Sequence, residues 1–195
     1  MAQLPGSAFL KGRDRLVRIS RTGGARAVPA SHGAGDPNQP YTIPTDNYSN
    51  TTFIKGLTTA EYSPAPTSQE FFLMADDGYR DSVGVTMAGE LSCTAFFIQG
   101  LSSGAANQTI DAALAEIMKA ENDPDIELYV EILTYLGLDS AQHKYNVRAF
   151  NACVTNTSES AASDGVIEYS FTFQSRGQIF VGTFEAGNTK IDIYA

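Results

Sequence analysis

The residues that come nearest to a catalytic spacing are Gly100-Leu101-Ser102-Ser103-Gly104, a G-x-S-x-G match lying between a strand-like stretch and a helix-like one. In a nucleophile elbow that spacing exposes the serine at a sharp strand-to-helix turn, and an acid and a histidine follow it in chain order. Asp139 and His143 supply that order here, so a small serine hydrolase using Ser102 is one functional reading. The plainer reading is a flexible Gly/Ser connection. Ala105 and Ala106 separate Gly104 from the first residue able to cap a helix, and the flanking pattern is antiparallel, whereas an elbow sits on a parallel sheet. No nearby segment reads as an oxyanion-hole loop, so no catalytic set is expected.

Two other constellations offer ligand chemistry. Glu121, Asp123, Asp125 and Glu127 present oxygen ligands at alternate positions, as a calcium loop does. Counted from Asp123, however, the position that needs glycine is Leu128, and Pro124 interrupts the start. A solvated turn after a helix accounts for the acids. The two histidines, His32 and His143, and the two cysteines, Cys93 and Cys153, form no C-x-x-C pair and no zinc-ligand spacing. GGARAVPASHGAG has glycines but lacks the flanking elements and the Lys-Ser/Thr of a phosphate loop. No metal and no cofactor is expected.

The elements that would have to position any such group read mostly as strands. In GVIEYSFTFQSRG, Ile167, Tyr169, Phe171 and Phe173 fall on one side and Glu168, Ser170, Thr172 and Gln174 on the other. A period of two marks a strand with one buried and one wet face. Gly89 to Ile98 alternates likewise, with Leu91, Cys93, Ala95 and Phe97 on the apolar side. In Ile126 to Leu133, the same rule puts Ile126, Leu128, Val130 and Ile132 inside and Glu127, Tyr129 and Glu131 outside. Lys144 to Thr155 changes phase near Phe150, which predicts a bulge or bend. Val166–Gln174 and Gln178–Phe184 read as a hairpin around Ser175-Arg176-Gly177, and Lys190–Tyr194 as a closing strand. Further strands are expected over 15–20, 51–56 and 69–75, the last closed by Asp76-Asp77-Gly78.

One helix stands out, Asn107 to Glu121, with Ile110, Ala113, Leu114, Ile117 and Met118 on one stripe, Asn107 or Thr109 as cap and Pro124 beyond its end. The order lacks the strand–helix–strand rhythm of a parallel sheet. The expected fold is mainly β: an antiparallel β-sandwich or barrel with one flanking α-helix and a long N-terminal loop or arm. The arm is residues 1–50 and the domain 51–195. Residues 21–50, rich in Gly, Pro, Asn and Ser, bury too little apolar surface to offset their own ordering entropy.

Charge divides the same way. Of 195 residues with a net charge of −9, residues 1–26 hold six bases (Lys11, Arg13, Arg15, Arg18, Arg21, Arg26) and one acid, while the remainder holds seven bases and 21 acids. A basic head on an acidic body attracts nucleic acid or another copy of that body. The acidic remainder disfavours stable duplex binding, which puts self-association first. No apolar run approaches a membrane span, and MAQLPGSAFLKGRDRL lacks the apolar stretch of a secretory signal, so manufacture and use in the cytoplasm are expected.

From Gly89 to Phe184 the chain resembles the tail tube (major tail) proteins of long-tailed bacteriophages. The resemblance is carried by the order of GELSCTAFFI, the lone helix through DAALAEIMKA, IELYVEIL, KYNVRAFNACVTN, the polar SESAASDG turn and the pair GVIEYSFTFQSRGQIFVGTF. It implies a β-sandwich or barrel with a flanking helix, six copies per ring, and rings stacked into a hollow virion tail, assembled in the host cytoplasm. Other tail proteins would be partners, and genomic DNA would pass through the lumen without specific binding. In that setting the bases from Lys11 to Arg26 are candidates for ring-to-ring contact, and Glu127, Glu131 and Glu168 for an acidic lumen wall. A monomeric β-sandwich binding module is the remaining alternative.

Overall fold

Alternation over Tyr169 to Phe173 does build a strand, and a far longer one than its apolar face alone implies. The computed structural model describes residues 15–22, 40–41, 48–72, 80–97, 99–100, 109–161 and 165–192. Its elements are β1 (Arg15–Thr22), β2 (Tyr48–Phe53), β3 (Leu57–Phe72), β4 (Arg80–Phe96), β5 (Gln99–Gly100) and β6 (Thr109–Ile110). After these come α1 (Ala112–Asn122), β7 (Leu128–Asp139), β8 (Gln142–Ala161) and β9 (Ile167–Glu185). The fold is mainly β, with seven strands in one antiparallel sheet of order β2-β1-β7-β8-β9-β4-β3 and a single described helix. No described helix is long and apolar enough to cross a membrane.

The sheet cannot be flat. Laid out, its two edge strands would stand about 29 Å apart, six gaps of about 4.8 Å. Yet β2 and β3 are joined by residues 54–56 alone, a span of roughly 14 Å at most. The sheet therefore curls until its ends approach: Ile54 N donates to Val17 O at 2.9 Å, Phe96 N to Gly56 O at 3.0 Å, and Arg15 Nη1 to Ala60 O at 2.9 Å. Val17, Ile19, Leu91, Cys93, Val130, Phe150, Phe171 and Phe173, drawn from strands across the whole sheet, then share one core with Ala113, Leu114, Ile117 and Ala120 of α1.

Curling needs kinks, and the largest lies where the sequence changes phase. Ala149 pairs with Phe180 and Asn151 with Arg176, so Phe150 alone opposes Gly177, Gln178 and Ile179. Gly177 supplies the positive φ of 86° that such a bulge uses. This corrects the hairpin expected at Ser175-Arg176-Gly177. The chain does not reverse there, because residues on both sides of Gly177 pair with β8 in the same antiparallel sense. The closing strand is also corrected: residues 190–192 are not in a strand, and 193–194 lie outside the described residues.

The helix begins later than its stripe suggests. Thr109 and Ile110 pair with Gln99 and Gly100, and the N-cap is Asp111, whose carboxylate accepts from Ala113 N at 3.2 Å. The first strand, expected at 15–20, lies between β2 and β7, so part of the N-terminal arm is woven into the sheet.

Candidate assembly surfaces

Chemistry first: Ser102, the possible nucleophile, lies outside the described residues, as does His32. His143 opens β8 and its Nδ1 shares a hydrogen bond of 2.8 Å with the Tyr135 hydroxyl. Among the described residues no three His, Cys, Asp or Glu side chains are grouped to hold a metal ion. Cys93 and Cys153 are free thiols, and burial pushes the Cys93 thiol up to about 12, so it stays protonated and inert.

The residues that sequence places on the surface for assembly divide into two groups. Arg18 and Glu131 are not on a wet face at all. Arg18 is 7 % exposed and Glu131 1 %, and Arg18 Nε donates to Glu131 Oε2 inside the subunit. The Arg18 guanidinium lies 5.5 Å from the Phe53 ring centre and 5.6 Å from that of Phe184. Tyr41, from the glycine- and proline-rich arm, donates its hydroxyl to Glu131 Oε1 and lies 2.8 Å from the Tyr129 hydroxyl. Its backbone N donates to Thr183 O at 2.7 Å. Burial first, then the neighbouring Glu131 carboxylate, holds the Tyr41 phenol far above its ordinary range, so it remains a donor.

The wet face expected for β7 is thus corrected. Tyr129 and Leu133 join Tyr41, Tyr145, Val147, Ala149 and Phe180 in a second core on the opposite side of the sheet. Ile191 covers it from the C-terminal side, its N–H reaching the Tyr145 hydroxyl at 3.0 Å. At least at Pro40–Tyr41, the arm is pinned to its own subunit. No local pattern reveals this, because Tyr41 and Glu131 are 90 positions apart.

Among the other proposed contacts, Arg15 is half-buried and bonded to Ala60 O, Arg21 is exposed, and Lys11, Arg13 and Arg26 lie outside the described residues. Glu127 is half-buried and accepts from Arg176 Nη1 at 3.3 Å. Glu168 is exposed near the start of β9. Glu121, at the end of α1, accepts from the Thr157 hydroxyl and from Tyr169 Oη at 2.6 Å. Those two bonds hold its carboxyl below the usual carboxylate range.

A further surface follows from strand lengths. β4 pairs with β9 only from Glu90 to Phe96, but with β3 all the way to Phe72↔Arg80. Beyond Gly89 the two strands continue as a ribbon with no third strand among the described residues, for about 26 Å over Ala65–Phe72. Gly89 marks the departure point: its N donates to Ser175 Oγ at 2.7 Å. A Cβ there would come within 2.7 Å of the Tyr62 hydroxyl and 2.8 Å of Ile179 Cδ1. Pro64 and Pro66 lack the N–H a ladder needs and are accommodated because β3 is an edge strand.

With this geometry in place, comparison with known proteins is informative about the fold. No protein-family model and no curated protein matches the chain. Among solved structures it is similar to the SPP1 tail tube determined by solid-state NMR and cryo-EM. That match has a TM-score of 0.52 and 14 % identity, covering 95 % of this chain and 82 % of that one. The chain shares the fold of the SPP1 tail tube subunit. Lesser likenesses are to a subunit of the virion of a native gene transfer agent and to the cap that terminates the tube of the anti-feeding prophage. The first has a TM-score of 0.48 and 13 % identity, covering 88 % of this chain and 97 % of that one. For the second the values are 0.47, 10 %, 93 % and 93 %.

Proposed function

We propose that this chain is the structural, non-enzymatic subunit of a tail tube. Six copies form a ring, rings stack into a hollow tail of the virion, and DNA passes along the lumen without specific contacts. Assembly takes place in the host cytoplasm, and the partners are other copies of the chain and other tail proteins, with no membrane and no cofactor. The observation that carries this reading is the β3–β4 ribbon. A lone two-stranded ribbon is marginally stable in water, so its length is explained by a neighbour that completes it. The shared fold with the SPP1 tail tube supports the same reading.

In this account the bases still able to reach another ring are Lys11, Arg13, Arg21 and Arg26, since Arg15 and Arg18 are engaged within the subunit. Of the acids proposed for the lumen wall, Glu168 is exposed to solvent, Glu127 is matched by Arg176, and Glu131 is withdrawn by burial. An acidic wall lets a polyanion slide, because phosphate finds no cations to displace its counterions.

The test removes the ribbon and keeps the sheet. Residues 65–88 are replaced by an Asn-Gly turn joining Pro64 to Gly89. Circular dichroism should retain the β signal while electron microscopy shows tubes lost. Tubes of undiminished length from the trimmed protein would contradict the role given to the ribbon.

A further inference from the structure

Among the described residues, the large hydrophobic side chains most open to water are Leu136 (49 % exposed), Leu138 (63 %), Val166 (61 %) and Ile167 (40 %). Single exposed apolar residues are ordinary, but these fall in two pairs at two hairpin ends. Leu136 and Leu138 close β7, where Leu138 pairs with His143 beside the Ser140–Ala141 turn. Ile167 opens β9 opposite Ala161, with Val166 just before it. His143 and Ala161 lie near the two ends of β8, so one strand, up to about 60 Å along its path, separates the pairs.

The charges around them differ. Beside Val166 and Ile167 stand the exposed acids Glu159 and Glu168, and the bonds from Glu121 to Thr157 and Tyr169 bring the acidic end of α1 to the same place. Beside Leu136 and Leu138, Lys144 pairs with Glu185 at 3.5 Å and Lys190 lies 4.3 Å from the Tyr135 ring centre, with Asp192 two residues on. β1 also starts at this end, Arg15 opposite Thr134, so the described charges here are of both signs rather than all acidic.

We propose that the two ends of β8 are complementary docking faces for a second copy of this chain, Leu136 and Leu138 of one subunit meeting Val166 and Ile167 of the next. This rests on the tail tube reading and names the residues of its ring-to-ring contact. Like-with-like docking is disfavoured at the acidic end, because a two-fold axis there would bring Glu159 and Glu168 of both copies together. Unlike ends joined head to tail give a contact that repeats without closing, as a tube requires. Each contact is small, but six act at once around a ring, and linked weak contacts bind far more tightly than one.

The experiment uses two full-length variants, Leu136→Glu with Leu138→Glu, and Val166→Glu with Ile167→Glu. Each alone should lose tubes while remaining folded, because each has only one intact face. Mixed in equal amounts, they should form paired particles that do not grow, since the mixture offers one compatible contact and no continuation. Leu138→Ser and Ile167→Ser provide the same comparison if the glutamates disturb folding. Tubes of wild-type length from either variant, or a mixture no different from its components, would overturn the assignment alone. A wild-type chain that never stacks would overturn the tail tube reading along with it.

Discussion

Arg18 and Glu131 hold opposite charges where neither meets bulk water, and such a pair is worth little against apolar groups but costs much when halved. Arg18→Met or Glu131→Leu alone should therefore destabilise the subunit by about 3–5 kcal/mol, whereas the double substitution should cost less than either. Urea unfolding of the four proteins checks this, and additive losses would contradict it. The pair also shows where sequence reading stops. Period two places Glu131 on the wet side of β7, and the rule is sound for a sheet covered on one face. What covers the second face is Tyr41 from the arm and Ile191 from the tail, and neither has a local signature. By contrast Leu91, Cys93 and Ala95, buried as their alternation requires, were legible because only one face of β4 is packed there.

Among elements, α1 is anchored by more than its apolar stripe. Glu121 ties its last turn to β8 and β9 through Thr157 and Tyr169, and these bonds lower the folded-state carboxyl below its unfolded value. A depressed acid contributes stability that is present above the unfolded value and lost as pH falls through the folded one. Acid titration should thus weaken the native chain in that window, and Glu121→Gln should flatten the slope. An unchanged pH profile would show that the anchor carries nothing. The longest elements were the least legible. Short strands were expected over 51–56, 69–75 and Gly89 to Ile98, yet β3 and β4 run through Pro64, Pro66, Gly84 and Gly89, because an edge strand tolerates proline and a ribbon leaving the sheet needs a glycine where Tyr62 and Ile179 crowd. Ser175-Arg176-Gly177 looked like a reversal and is a bulge, since turn chemistry alone does not say whether the next residues pair with a new partner or the old one.

At the scale of the molecule, alternation was enough to give an antiparallel, mainly β fold with one helix, and element order was enough to suggest the tube family's architecture. A sandwich or barrel was expected, but the way one seven-stranded sheet curls was not readable, because it follows from a three-residue link between strands at opposite edges. The basic head and acidic body are the charge pattern from which self-association was expected, and two of the six bases prove to be engaged within the subunit. The most direct test of the central claim is cryo-electron microscopy of the purified full-length chain over a range of concentrations. Hollow tubes of stacked six-fold rings, lengthening as the protein is concentrated, are the predicted result. Isolated single subunits at every concentration would contradict it.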